Sequence, residues 1–363
     1  MIPSRVQRLQ QRLAEAALDG LVVCGRQNVR YLTGFTGSSG ILVVARQAER
    51  PVLITDFRYV EQAAQQAPGT VVEQFRDQMA PVLAEVLRRL GLERVGFEQD
   101  HLTYQAATRW MEEIGQVRWV PVDQQVEALR AVKEPEELQR MRRAVELGDR
   151  AFQFIVERMR PGMTEKEVAW QLEVFLREHG AEALAFPVIV ASGPNGALPH
   201  ARPTDRRLEV GDLVVLDFGC VVDGYCSDMT RTVLVGSQVS PRVREVYELV
   251  LRAQETGVQA VRPGRRGQEV DAEARAVIDQ AGLGEHFGHG LGHGVGLEVH
   301  EPIPRLARTA EMVLEPGMVT SVEPGVYLPG WGGVRIEDLV VVTPQGCEVL
   351  TRSPKELLCV GAG

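Results

Sequence analysis

The first 125 of the 363 residues contain no lysine, and the 14 arginines there are balanced by 14 acidic side chains. The formal net charge of −9, from 40 Lys+Arg against 49 Asp+Glu, therefore lies wholly beyond residue 125. An excess of positive charge is absent, so the chain makes a poor nonspecific partner for nucleic acid or an anionic membrane. No apolar run approaches the ~18 residues of a membrane span. The start, MIPSRVQRLQQRLAEAALDG, interleaves Arg and Gln with apolar residues as an amphipathic helix does and lacks the apolar stretch of a secretion signal. The five cysteines, Cys24, Cys220, Cys226, Cys347 and Cys359, are odd in number and form no CxxC pair. That spacing excludes a disulfide framework or cysteine-ligated zinc and leads us to expect reduced thiols in a cytoplasmic protein. With 44% hydrophobic and 25% charged residues the composition is that of a globular chain, and its length favours two domains.

Short β-type runs at 21–25, 40–45 and 51–55 alternate with amphipathic segments at 4–18, 58–67 and 79–90, which predicts an α/β domain over residues 1–125. A linker is expected at 126–133. Pro135 followed by Glu136 and Glu137 is a helix-start signal, and the helix should run to about Met159. The remaining residues, 134–363, repeat themselves weakly. Arg160-Pro161-Gly162, Glu167-Val168 and Gly180 recur 102 residues later as Arg262-Pro263-Gly264, Glu269-Val270 and Gly282. Leu208, Glu209, Gly211, Asp217 and Gly219 recur 106 residues later as Leu314, Glu315, Gly317, Glu323 and Gly325. Each copy reads as turn, helix, Gly-containing loop and hairpin, which implies two similar halves related by a pseudo-two-fold axis, with a site between them fed by both.

The carboxylates fit that scheme. Residues 213–235 read as a β-hairpin around an Asp-Gly turn, and a four-residue loop at 221–224 would set Asp217 directly opposite Asp228. Aspartate is disfavoured in strands, and like charges facing each other repel, so the pair calls for a cation. Glu323 and Glu337 sit likewise among β-branched residues of the second copy. Four buried carboxylates need compensation, and two divalent cations would balance them; oxygen-rich ligation suits Mn2+ first, with Zn2+, Co2+ or Fe2+ also possible. Four histidines, His286, His289, His293 and His300, crowd the glycine-rich segment 285–301, and His200 lies upstream. That glycine content disfavours a plain helix or strand there.

The set Asp217, Asp228, His293, Glu323 and Glu337, in its GHGVGLEVH, SVEPG and GVRIED settings, resembles the creatinase/methionine-aminopeptidase ("pita-bread") metallopeptidase family. Within that family it is most similar to the Xaa-Pro peptidases, both Xaa-Pro dipeptidases (prolidases) and small aminopeptidases P. The likeness covers almost the whole chain, including NVRYLTGFTGSSG (28–40) and TDFRY (55–59), a pattern that with the small size tilts toward the aminopeptidase P type. It implies a creatinase-like α/β N-terminal domain and an α+β pita-bread catalytic domain. It further implies that Asp217, Asp228, His293, Glu323 and Glu337 bind two metal ions, Asp228 and Glu337 bridging them, and that a hydroxide shared by the ions attacks the bond before proline. Glu323 would shuttle the proton and His300 would steady the tetrahedral intermediate. His200 and His289 would help to fit proline, with His200 also counted among the catalytic groups. Arg335 would steady the site or bind a carboxylate. The substrates implied are short peptides with proline second, and the assembly implied is a homodimer. His200 and Arg335 also admit plainer readings, as a loop residue and as the partner of a neighbouring carboxylate. Phe186 and Tyr327 are read equally as pocket or core, and His101 and His179 as solvated or structural. Three alternatives are a non-catalytic binding protein on this fold, a methionine-aminopeptidase-like enzyme and a creatinase-like hydrolase. The intact ligand set argues against the first and third, and the extra N-terminal domain against the second.

Overall fold

In the computed structural model, which describes residues 2–361, the chain divides between Arg130 and Ala131 into two compact units. The segment read as a linker contains the short helix Glu127–Ala131, with Val126, Arg130, Ala131 and Lys133 buried.

The first unit is built on one six-stranded mixed sheet, in the order Val71–Phe75, Val52–Asp56, Ile41–Ala45, Gly20–Val23, Arg94–Glu98, Arg118–Val122. The three apolar runs seen in the sequence are its buried centre and pair antiparallel. The outer strands pair parallel. Parallel neighbours need crossover connections. Val60–Gln66 and Tyr104–Glu113 provide two of these, and Met79–Arg89 lies on the route between the outer strand Val71–Phe75 and Arg94–Glu98.

In the second unit the helix Pro135–Val156 begins at a capping box between Glu134 and Glu137 and ends three residues before Met159. The expected duplication is visible bond by bond. Helices Glu165–Glu178 and Gly267–Gln280 have the same length and the same 102-residue offset. Gly162 N–H donates to Leu208 O (2.8 Å), as Gly264 N–H donates to Leu314 O (2.9 Å). Isolated bridges join Thr164 to Arg207 and Arg266 to Val313. The repeated glycines at 162/264, 180/282 and 211/317 all have positive φ, which is why glycine recurs at those places. Each copy has its own core, one around Phe152, Leu172 and Leu216, the other around Val250, Ile278 and Val322. In the first copy the strand Leu213–Phe218 lies between Ile189–Ser192 and Met229–Val235; in the second, Val319–Val322 lies between Gly292–Gly294 and Asp338–Thr343.

One expectation is corrected. Asp217 faces Thr230, not Asp228. The hairpin turns on two residues instead of four, because Asp223 (φ 50°) and Gly224 (φ 80°) both adopt the left-handed region between the paired residues Val222 and Tyr225. A register displaced by two residues leaves the side-chain alternation unchanged, so Asp217 and Asp228 still reach one cavity.

Gly224→Val should destabilise this unit by about 1–2 kcal/mol, since a β-branched residue resists positive φ, whereas Gly224→Asn should lose less. Equal losses of Tm in the two variants would contradict the tight turn.

Candidate metal centre

Strand ends deliver the carboxylates. Asp217 is next to last in Leu213–Phe218, and Asp228 immediately precedes Met229–Val235. Glu323 directly follows Val319–Val322, and Glu337 directly precedes Asp338–Thr343. His293 enters from Gly292–Gly294, its N–H donating to Ser321 Oγ at 3.0 Å. All five line a cavity of about 580 Å³, together with His200, His289, His300, Arg335 and Phe186. The sequence thus singled out residues that the fold brings together. His286 lies outside the lining, in the short 3-10 turn Gly284–His286.

Asp228, His293 and Glu337 each offer a ligand atom within 4.8 Å of one another. His293 Nε2 stands 3.2 Å from Glu323 Oε1 and 3.6 Å from Asp228 Oδ2. Glu337 Oε2 accepts from Thr230 Oγ1 (2.8 Å), and Asp217 Oδ2 from Arg335 Nη2 (2.6 Å). The other oxygens of that pair, Asp217 Oδ1 and Glu337 Oε1, are buried with no partner. Buried oxygens are rarely left so.

The electrostatics express the same strain. Burial pushes Asp228 well above the usual carboxylate range, and repulsion from Glu337, Asp217 and Glu323 adds to it. Glu337 is raised well above that range by burial, then by Glu323 and Asp217. Asp217 is raised by burial, with Arg335 opposing. For Glu323 burial opposes ionisation, yet the hydrogen bond and charge of His293 prevail and hold it at about 2. Reciprocally, burial disfavours the imidazolium of His293, but the bond to Glu323 lifts it to about 9. The donors are oxygens and one imidazole nitrogen, the orphaned atoms are carboxylate oxygens, and the charge is in excess. Divalent cations of the Mn2+ or Zn2+ kind fit that set.

Beside it runs a wall with defined proton positions. Arg335 Nη1 donates to Tyr327 Oη (2.9 Å), and His289 Nδ1 must donate to the Gly290 carbonyl (2.8 Å). With the imidazole neutral, the Tyr327 hydroxyl donates to His289 Nε2 (2.9 Å). Burial lowers the His289 pKa in keeping with this and pushes Tyr327 up to about 12. Arg335 is 3% exposed and also donates from Nε to Thr230 Oγ1 and from Nη1 to Pro199 O. Of the roles open to it, steadying Asp217 and Tyr327 is the one these contacts serve. His200 and His300 are exposed at the cavity, the His300 ring 4.3 Å from that of His293.

Thr230, Ser321 and Arg231 escaped the sequence reading. Thr230 bonds both Glu337 and Arg335, and Ser321 Oγ donates to Glu323 Oε1 (3.1 Å). Arg231, 1% exposed, donates to the carbonyls of Thr230 and Glu337 and pairs with Asp338 at 2.7 Å. The one signal for them was adjacency to a carboxylate. Of the two histidines left aside, His179 stacks on Phe175 at a helix end and His101 bonds Glu127.

The fold and this centre are those of a metallopeptidase: residues 139–344 match Metallopeptidase family M24, residues 5–132 match the Creatinase/Prolidase N-terminal domain, and the chain belongs to that family. Among particular proteins, it is 37% identical over 354 residues to an Xaa-Pro dipeptidase of Pyrococcus furiosus, covering 98% of this chain and 99% of the relative. The solved Xaa-Pro dipeptidase from Bacillus anthracis superposes with a TM-score of 0.95 at 43% identity, over 99% of this chain and 100% of that one. An X-Pro aminopeptidase from Thermotoga maritima gives 0.87 at 37%, over 96% and 100%. The pita-bread architecture expected of the second unit is thereby established.

Thr230→Val removes the donor that orients Glu337. It should weaken Mn2+ binding by about 10–100-fold with the fold intact, as loss of such outer partners commonly does. Titration calorimetry returning the parental affinity would remove Thr230 from the centre.

Proposed function

We propose that this chain hydrolyses the bond between an N-terminal residue and proline in short peptides, with two divalent cations held by Asp217, Asp228, His293, Glu323 and Glu337. The observation that carries the reading is the pair of orphaned oxygens, Asp217 Oδ1 and Glu337 Oε1, in a buried cavity with four carboxylates. When bound, such ions neutralise the carboxylates, polarise the scissile carbonyl and acidify a water near neutral pH. We assign Asp228 and Glu337 to the shared positions, His293 and Glu323 to one ion, and Asp217 to the other.

The chain's own groups do the rest. Glu323, anchored through Oε1 by Ser321, would take the water's proton on Oε2 and return it to the leaving proline nitrogen. That nitrogen is a tertiary amide and must be protonated as the bond breaks, so a carboxylate beside it is needed. His300 and His200 stand at the mouth, where an imidazole N–H can meet the oxyanion and the peptide. The pyrrolidine ring fits the apolar side of the cavity at Phe186, Val188 and Ile189. His289, held by Tyr327 and through it by Arg335, also lines the cavity. Mn2+ is our leading ion. A non-catalytic binding role is disfavoured because each of the five candidate ligands reaches the cavity.

Among the described residues no helix is long and apolar enough to cross a membrane, and all five cysteines are free. We assign the protein to a reducing cytoplasm and to a homodimer, the latter to be read by sedimentation.

Glu323→Ala should lower kcat on Ala-Pro by about 100- to 10,000-fold while circular dichroism stays parental; retained activity in a metal-replete assay would sink the assignment. Chelation should abolish turnover and Mn2+ restore it, with metal analysis finding about two ions per chain. Turnover of Ala-Pro with refusal of Ala-Pro-Gly makes the enzyme a dipeptidase; turnover of both makes it an aminopeptidase.

A further inference from the structure

Lys133, one of only three lysines in the chain, forms an ion pair with Glu301 in which Nζ and Oε2 are 2.9 Å apart and the side chains are 1% and 2% exposed. A pair so deep contributes little to stability, because desolvation of both charges offsets their attraction and apolar residues of the same volume hold the fold as well. Its use therefore has to be sought in what it touches. Glu301 directly follows His300. Its other oxygen, Oε1, accepts the Leu297 N–H at 3.0 Å, so the carboxylate caps the turn 294–300 that leads into His300. The turn lies on the pair so closely that a Cβ at Gly296 would overlap the Glu301 carboxylate and come within 2.8 Å of Lys133 Cε. On its other side Gly296 O accepts from Cys226 N (2.8 Å), two residues before Asp228. Lys133 is itself fixed, its N–H donating to Gly317 O at 2.9 Å and Val132 bridging to Met318.

The His300 ring has no such anchor. Among the described residues no hydrogen bond holds it, and its ring contact is with His293. Where the ring points is thus set by the backbone of this turn, and the turn is set by the ion pair. We propose that Lys133 and Glu301 are positioning residues, a buried clasp that fixes the 294–300 turn and so aims His300 at the reacting carbonyl. The proposal rests on the reading of His300 given above.

The test uses the full-length, metal-loaded protein and Ala-Pro. Lys133→Met/Glu301→Leu removes the pair and keeps its volume. It should melt within a few degrees of the parent and retain its bound metal, yet lose about tenfold or more in kcat with KM within about twofold. In a His300→Ala background the same double change should cost less than about twofold, because no ring remains to be aimed. Independently of activity, amide hydrogen exchange across 294–300 should quicken by about tenfold or more. If the double variant does not fold, Glu301→Gln, which breaks only the ion pair, is read through the same measurements. Parental kcat in a folded variant, an equal loss with and without His300, or unchanged exchange overturns the proposal. Failure of the parent itself on Ala-Pro would overturn the peptidase reading instead, and the exchange measurement alone would then decide whether the pair fixes the turn.

Discussion

Four largely buried carboxylates share one cavity, and much of the second unit is arranged around that fact. Two of them have a cationic neighbour in the chain, Asp217 in Arg335 and Glu323 in His293. Asp228 and Glu337, hydrogen-bonded to neither cation, are the two that burial and mutual repulsion push well above the carboxylate range. Arg335 relieves part of the excess permanently, whereas His293 must give up its proton to ligate an ion, so a cation at the place where Asp228, His293 and Glu337 converge takes over that share. Thr230, Ser321 and Arg231 add no net relief beyond what their immediate bonds require; they fix the directions in which the oxygens point.

The duplication makes this crowding possible. A single hairpin presents two acidic residues to one cavity, and repulsion between them limits how many more can be added locally. Two copies bring Asp217 with Asp228 and Glu323 with Glu337 from separate cores, each folded on its own apolar helices and strands. The energy that holds the carboxylates together is then the burial of two apolar cores, which greatly exceeds the local repulsion. The uneven charge of the sequence follows in part. If two divalent ions bind, the second part moves from −9 to about −5, beside a first unit whose charges balance.

Much of this was legible in the sequence because it rests on short-range rules. The repeat was visible because glycines at positive φ and proline-glycine turns recur at fixed offsets, and the structure turns the same offsets into matching hydrogen bonds. The carboxylates were visible because acidic residues among β-branched ones violate strand preference. The register was not, since it hangs on whether Asp223 and Gly224 both take the left-handed conformation, and an Asp-Gly step permits either a tight or a looser turn. Nor could Thr230, Ser321 and Arg231 be read: Thr230 and Arg231 act on partners in the other copy, Glu337 and Asp338, each 107 residues away, Ser321 acts through its position inside a strand, and none is an unusual residue for its place. Arg335 was singled out as well, but its contacts with Tyr327, Thr230 and Pro199 O are visible only in three dimensions.

A comparison within the chain shows why one acidic cluster calls for metal and another does not. In the first unit Glu98, His101 and Glu127 also offer ligand atoms within 4.8 Å of one another. There, however, Glu98 Oε2 accepts from Cys24 N and Gly25 N at 2.6 and 2.7 Å, and the Asn28 amide donates to both Glu98 and Glu127. Arg130 in turn holds Asn28 Oδ1 (2.7 Å), and His101 holds Glu127. Hydrogen-bond donors occupy the space between the two carboxylates, so an ion would have to displace an amide already bonded on both sides. In the second unit the corresponding space contains no donor for Asp217 Oδ1 or Glu337 Oε1. Residue type and spacing are alike in the two clusters. What separates a satisfied polar network from a candidate metal centre is the supply of N–H groups, and of the two clusters the second leaves carboxylate oxygens without a donor from the described residues.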